Sequence, residues 1–243
     1  MNQLSTLHHP DLFVQERFPR ASAYDTDWVI AHEMGPNVLW LTEFLCEAME
    51  LRPGMRVLDL GCGKALSSIF LAREFGLQVW AVDLWVTATE NARRIHAADL
   101  DDRVFPLHAD ARQLPFAEEF FDAIISVDAF EYFGTDVYFL PGLIKLLKPH
   151  GQIGVVNAGL RHEVEQLPDE WPDDFCAFHT VDWWRRHWAI TRRVAVETAD
   201  DLPHSRDLWL YWHRLTGAVD DAYLTSPAGE NLTFHRLVAR RVH

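Results

Sequence analysis

The 243-residue chain reads as an α/β protein built on a mostly parallel sheet with helices on both faces. Two observations predict this. Short apolar runs alternate with helix-length segments from about residue 51 to 157, with turn residues at each change. An aspartate also stands at or just past the end of three successive runs: Asp59, Asp83 and Asp110. Right-handed crossovers between parallel strands then put helices on both sides of the sheet. The length fits one such unit, so 1–243 is read as a single domain: a cap over 1–50, a core over 51–157, and a lid with the last two strands over 158–243.

Residues 1 to about 20, including His8-His9, show no period and read as a loose arm. Apolar Val38, Leu39, Leu41, Leu45, Ala48 and Met49 predict a helix over 36–50, with Pro36 in its first turn and Pro53-Gly54 turning the chain after it. Arg56–Leu60 reads as a strand, broken by Gly61-Cys62-Gly63. Leu66, Ile69, Phe70 and Ala72 mark a helix ending near Gly76. A second strand over Gln78–Val82 closes at Asp83, and a helix follows over Thr87–Ala98. Val104–Leu107 and Asp122–Val127 read as the third and fourth strands. A helix over 137–147 is expected to be disturbed at Pro141-Gly142, and Gln152–Val156 reads as the fifth strand. After acidic, Pro-rich loop material, Thr180 and Asp182 start a tryptophan-rich helix. Val194–Val196 reads as a sixth strand, Leu208–Leu215 as a helix and Leu232–Val238 as a seventh strand.

Composition narrows the function. A net charge of −14 leaves no basic footprint for phosphate neutralisation, so no nucleic-acid partner is expected. The short basic runs Arg185-Arg186-His187 and Arg192-Arg193 read as solvated element ends. An anionic membrane would repel the chain, no apolar run approaches the ~20 residues needed to span a bilayer, and the N-terminus lacks a signal-peptide pattern. Cys46, Cys62 and Cys176 form no CxxC pair, which fits a reducing cytoplasm and supplies no metal framework.

The chemistry concentrates in Val57-Leu58-Asp59-Leu60-Gly61-Cys62-Gly63, a strand ending in an acid and a Gly-x-Gly turn before a helix. Glycine there lets a ligand lie against the main chain at the carboxyl end of parallel strands. A dinucleotide site requires a third glycine where Leu66 stands, so that fingerprint fails, and with it an oxidoreductase reading. The alternative is a nucleoside with an amino-acid tail. Asp59 then suits an ammonium group, directly or through water, Asp83 can accept from both ribose hydroxyls, and Asp110 can accept from an adenine amino group. Each could singly be a cap or turn residue. Three at consecutive strand ends are better explained by a common ligand.

The segments VLDLGCG (57–63), VWAVDLW (79–85), HADARQLPF (108–116), FDAIISVDAFEYFG (121–134) and LLKPHGQIGVV (146–156) stand in order at compatible spacing. Together they resemble class I S-adenosylmethionine-dependent methyltransferases over roughly residues 50–157. The resemblance implies a Rossmann-like sheet of seven strands with the last antiparallel, and S-adenosylmethionine as cofactor. Position by position it implies that Asp59, Gly61, Cys62 and Gly63 line the methionine part of the cofactor and that Asp83 binds the ribose. Leu84 and Trp85 would pack near the adenine, Asp110 and Ala111 would meet its edge, and Ser126 and Val127 would pass beneath the sulfonium. One departure is Ala65 where many members carry a third glycine; alanine tolerates positive φ poorly. The adjacent Lys64 reads as solvated.

Asp128, Glu131 and Tyr132 follow the fourth strand and are the catalytic candidates, with His179 a further candidate base. Phe130-Glu131-Tyr132 is similar to the Phe-Glu-His of the cyclopropane-synthase branch, whose glutamate helps bind bicarbonate, but Tyr132 replaces the histidine. The competing reading has Glu131 opening a helix and favouring its dipole. Tyr24, Trp28, Trp183 and Trp184 are candidates for an aromatic acceptor wall, against the plainer alternative of lid packing. The function expected is methyl transfer to a small-molecule acceptor through N, O, S or C. Cyclopropane-synthase-like C-alkylation is the variant, and a non-catalytic cofactor-binding module is the alternative from another class. The partner expected is that small molecule, with a homodimer left open.

Overall fold

The computed structural model describes residues 9–218 and 222–242, so residues 1–8 of the expected arm lie outside the described residues. Helices α1 (Pro10–Arg17), α2 (Thr26–Ala31) and α3 (Val38–Cys46) precede the first strand. The core then runs β1 (Arg56–Leu60), α4 (Leu66–Phe75), β2 (Gln78–Asp83), α5 (Ala88–Ala97), β3 (Val104–His108), β4 (Phe121–Val127), α6 (Glu131–Gly134), α7 (Phe139–Leu143) and β5 (Leu147–Leu160). It continues through α8 (Val181–Ile190), β6 (Val194–Asp201), α9 (Ser205–Thr216) and β7 (Leu232–Arg241).

The seven strands form one sheet in the order β3-β2-β1-β4-β5-β7-β6. β1 pairs in parallel with both β2 and β4, whereas β7 is antiparallel to β5 and β6, as the resemblance implied. The chain winds outward from β1 to β3 on one side and from β4 on the other. A cleft therefore opens at the carboxyl ends of β1 and β4, where the winding reverses.

Alternation along β1 fills both faces. Val57 joins a core with Leu45, Ile69 and Phe70, whereas Leu58 and Leu60 join Ile124, Leu140, Trp184 and Trp188 on the other side. α3 and α4 thus cover one face, and α7 and α8 the other. Asn37 caps α3 by accepting from Leu39 N and Trp40 N at 3.1 and 3.3 Å, which trims the predicted 36–50 helix to nine residues. Thr180 Oγ1 accepts from Trp183 N at 3.2 Å and caps α8. The expected break at Pro141-Gly142 takes the form of a short α7 running into a 3-10 turn over Ile144–Leu146.

The loose arm is corrected from Pro10 onward. α1 buries Val14, Phe18 behind it is fully enclosed, and Arg17 pairs with Glu47 on the main body. One buried residue in so short a helix, with a second just past its end, gives no readable period. Among the described residues no helix is long and apolar enough to cross a membrane, and no cluster of three or more His, Cys, Asp or Glu side chains is arranged to hold a metal ion.

Candidate active site

The turn after β1 is pinned to β2. Gly61 N and Cys62 N both donate to Val82 O, at 2.8 and 3.0 Å. Gly61 takes φ 76°, and a Cβ there would fall 2.5 Å from Ala129 Cβ, so only glycine lets the two loops touch. Ala65 does occupy the left-handed region, at φ 63°, as the N-cap residue of α4. That conformation costs an L-residue about 1–2 kcal/mol, and the rest of the turn holds it.

Asp83 organises the loop from the end of β2. Its Oδ2 accepts from Gly63 N at 2.8 Å, and its Oδ1 accepts from Trp85 N and Val86 N at 2.7 and 2.8 Å. A carboxylate has about four lone-pair positions, so one remains, on Oδ2. Asn91 of α5 reinforces the turn by donating to Gly63 O at 2.9 Å.

These residues wall a cavity of about 310 Å³ at the strand ends. Of the residues read from the sequence, Gly61, Cys62, Gly63, Asp83, Leu84, Trp85, Asp110, Ala111, Val127, Asp128 and Tyr132 line it. Leu84 and Trp85 stand at its mouth, 52 % and 72 % exposed. Asp110 Oδ1 accepts from Arg112 N at 2.8 Å.

Seven expected site residues lie off the wall. Asp59 is fully buried beneath the turn, where its Oδ2 accepts from Ser67 Oγ and Ser68 Oγ and its Oδ1 has no partner. Burial pushes its carboxyl up to about 6 against the opposing pull of the two serines; the charge of Asp83 raises it further. Ser126 is also buried, donating to Leu60 O at 2.7 Å and so tying β4 to β1. Tyr24 donates to Glu74 at 3.0 Å and stacks on Trp28, away from the cavity. Trp184 is wholly enclosed against Phe130, with ring centroids 5.8 Å apart. Trp183 is sandwiched between His179 and His187, at 3.8 and 4.5 Å. The plainer packing account therefore describes these four aromatic residues. His179 stands with them, bonded to Glu163 at 3.0 Å and off the cavity wall.

Glu131 is the seventh. It is buried behind the wall, its carboxyl raised well above the usual range by burial and next by the charge of Asp128. Asn157, with its amide nitrogen turned toward Glu131, donates to Oε2 at 3.0 Å. In this arrangement a direct contact between Glu131 and a bound ion is not available. Asp128 faces the cavity from the end of β4, in a left-handed conformation at φ 53°. Burial pushes its carboxyl up to about 7. Tyr132 completes the group, its hydroxyl raised by burial and by the Glu131 and Asp128 charges and 3.4 Å from Asp174 Oδ2.

The opposite wall was not foreseen. His32, Met34, Gly35 and Pro36, from the connection between α2 and α3, close the cavity from the N-terminal side. Trp212 Nε1 donates to Gly35 O at 2.9 Å and Lys64 Nζ to Glu33 O at 3.0 Å, which hold this strap in place. A Cβ at Gly35 would lie 3.2 Å from Asp128 Oδ2, so its absence lets the strap close against that carboxylate. The sequence signal was the Gly35-Pro36 breaker, which reads equally well as an ordinary helix start.

Residues 57–151 match the family model described as a methyltransferase domain. The methyltransferase GfsG of Streptomyces halstedii is 28 % identical over 142 residues, covering 58 % of this chain and 51 % of the relative. The 27-O-demethylrifamycin SV methyltransferase of Amycolatopsis mediterranei is 28 % identical over 135 residues, 52 % of this chain and 50 % of the relative. The chain thus spans about half the length of these curated relatives. Among solved structures, the geranyl diphosphate C-methyltransferase of Streptomyces coelicolor superposes over 98 % of this chain and 100 % of that one, with TM-score 0.71 at 20 % identity, a likeness of fold. The matching segment, the strand order and the strand-end cavity agree, so the core of this chain, over residues 57–151, is similar to methyltransferase domains.

Proposed function

We propose that the protein transfers a methyl group from S-adenosylmethionine to a small-molecule acceptor by in-line displacement. The observation that carries this is the convergence of Asp83, Asp110 and Asp128, from the ends of three different strands, on one cavity. The residues fit the cofactor. Asp83 keeps one acceptor position for a ribose hydroxyl, and Asp59 has a buried oxygen without a partner. An acid-rich wall suits a ligand carrying a sulfonium and an ammonium. The cavity volume lies at the low end of the range for small-molecule sites.

When bound, S-adenosylmethionine supplies a methyl group already activated by its sulfonium. The protein's contribution is alignment and exclusion of water, worth ~7–11 kcal/mol when geometry is well held. The Gly61–Gly63 turn and Asp83 orient the nucleoside, and the His32–Pro36 strap covers it. Asp128 is the base where the acceptor carries a proton, because its carboxyl faces the cavity and titrates near neutrality. Asp128 would take up the proton that such an acceptor heteroatom loses on methylation. Glu131 and Tyr132 frame Asp128 from the next turn of chain. A hydroxyl-bearing acceptor suits this arrangement, and the relative named for 27-O-demethylrifamycin SV supports it. Localisation in the cytoplasm is supported by three cysteines that are all free thiols.

Calorimetry with S-adenosylmethionine and with NAD, followed by transfer of radiolabelled methyl to a panel of phenols, amines, thiols and carboxylates, tests the reading. Binding of the first ligand without the second, and label in one acceptor class, is the expected result. Absence of S-adenosylmethionine binding defeats it, and binding without transfer to any acceptor turns it into the binding-module reading.

A further inference from the structure

We propose that the acceptor carries two neighbouring hydrogen-bond donors and no negative charge, and that His32 selects it, receiving one donor on Nε2 while Asp128 faces the group to be methylated. The inference rests on the methyl-transfer reading above and names the class of molecule that its acceptor side admits.

His32 is the C-cap residue of α2, half-buried, and lines the cavity from the strap. Its Nδ1 lies 2.7 Å from Trp28 O. A carbonyl oxygen can only accept, so Nδ1 carries the hydrogen, and in the neutral ring Nε2 is left as a bare lone pair. The ring also contacts the Trp28 indole, with centroids 5.3 Å apart, and among the described residues nothing donates to Nε2. The helix end thus consumes one ring nitrogen and fixes the tautomer in which the other can only accept.

Asp128 meets the same strap. A Cβ at Gly35 would lie 3.2 Å from Asp128 Oδ2. Three residues of chain, at most ~11 Å, separate Gly35 from His32. Two hydrogen-bond acceptors from different walls therefore stand within reach of one small molecule.

Complementarity to those two groups sets the class. The cations on the wall are engaged: Lys64 Nζ donates to Glu33 O at 3.0 Å, and Arg112 Nη1 stands 3.7 Å from Asp110 Oδ1. A carboxylate or phosphate would find acids and a lone pair where it needs donors, the kind of repulsion by which sites reject wrong partners. A molecule with two adjacent hydroxyl or amine donors satisfies both walls. One with a single donor leaves His32 or Asp128 without its bond, which weakens binding.

The test titrates the S-adenosylhomocysteine-loaded protein, followed by NMR at about pH 8, with cis-cyclohexane-1,2-diol, cyclohexanol and cyclohexanecarboxylate as probes. The diol should bind about five-fold or more tighter than cyclohexanol, and the carboxylate should bind most weakly. A diol that binds no tighter than cyclohexanol, or not at all, overturns the proposal, as does a carboxylate that binds best. His32→Asn places an amide nitrogen where Nδ1 stood, so it keeps a donor for Trp28 O and removes Nε2. In this variant the diol's affinity should fall to within about two-fold of cyclohexanol's, with cyclohexanol's affinity and Tm unchanged. A preference for the diol that survives, or an equal loss for both probes, would mean that His32 only shapes the wall and would overturn the proposal. The NMR signal of His32 Nε2 gives a readout that needs no variant. It should report an unprotonated nitrogen that shifts as the diol is added, and a protonated or unshifted nitrogen overturns the proposal. A wild type that does not bind S-adenosylhomocysteine would instead defeat the methyltransferase reading itself.

Discussion

Asp83→Ala separates the architecture of the site from its recognition of ligand. The substitution deletes three bonds accepted from backbone N–H groups, those of Gly63, Trp85 and Val86. Removing a charge-assisted bond costs about 1.5–3 kcal/mol where the abandoned donor stays dry. Gly63 and Trp85 border an open cavity with an exposed mouth, so water can replace part of the carboxylate there, whereas the Val86 bond is buried. The stability loss is therefore about 2–3 kcal/mol in total, or ~4–12 °C in Tm for a chain of this length. The remaining lone pair on Oδ2 is the one proposed for ribose, and its loss should weaken cofactor binding by about 1.5–3 kcal/mol, ~10–150-fold. A distorted turn could lower affinity too, so the decisive assay is a cycle: wild type and variant, each titrated with S-adenosylhomocysteine and with its 2′,3′-dideoxy analogue. If Asp83 accepts from a ribose hydroxyl, deleting both partners costs at least ~1 kcal/mol less than the sum of the single losses. Strictly additive losses, or a folded variant with undiminished affinity, would refute the ribose assignment.

Three further outcomes are expected. With a hydroxyl acceptor, wild-type turnover should rise with pH through about 7 as Asp128 ionises, and Asp128→Asn should be slower by ~10²-fold or more with no such rise; a profile shared by both proteins would remove Asp128 as base. The ligand-free protein should also gain from Asp59→Asn at alkaline pH. Burial raises this carboxyl from 3.8 to about 6, so its stabilising contribution is complete below pH ~4 and lost as pH rises through 6, a difference of ~3 kcal/mol. The variant should therefore melt higher than wild type at pH 8 and level with it at pH 4, and a variant that melts lower at pH 8 contradicts the account. Trp184→Ala, which hollows a closed core, should cost ~3–5 kcal/mol in denaturant unfolding while leaving the acceptor KM unchanged; a raised KM in a folded variant would return Trp184 to the substrate wall.

The core from β1 to β5 was legible because buried parallel strands write themselves as continuous apolar runs, and each ends in a turn the sequence punctuates. Asp83, Asp110 and Asp128 were legible for the same reason: a residue just past such a run must emerge at the carboxyl edge of the sheet. Asp59 shows where the reading stops. It lies one residue inside the strand end, so alternation rather than position decides which way it faces, and the serines that capture it lie eight and nine residues on. The tryptophans fail differently. Trp184 and Trp188, four apart, share the helical face that packs on Phe130, whereas Trp183 points to the adjoining side between two histidines. Composition could supply an aromatic wall, but only the face assignment says that it is core. The strap at His32–Pro36 has no period, and its place depends on contacts with Trp212 and Lys64 that no local pattern encodes.

The acids at this end of the sheet pose an energetic question that the chemistry answers. Full negative charge beside a sulfonium would stabilise the reactant, and an interaction that weakens as the methyl group leaves raises the barrier rather than lowering it. The arrangement limits that penalty where it would matter most. Asp83 is tied to three backbone donors at the nucleoside end. Near β4, burial raises the Glu131 carboxyl well above the usual carboxylate range and pushes that of Asp128 up to about 7. Charge is thus strong where the ligand is to be held and muted where, on the proposed reading, the bond is to break. The same muting keeps Asp128 basic enough to take a proton, because a carboxylate made comfortable by cations would hold too low a pKa to serve. On the proposed reading, retention of the cofactor and activation of the acceptor therefore draw on one physical variable, the solvation of carboxylates, set differently at the ends of neighbouring strands.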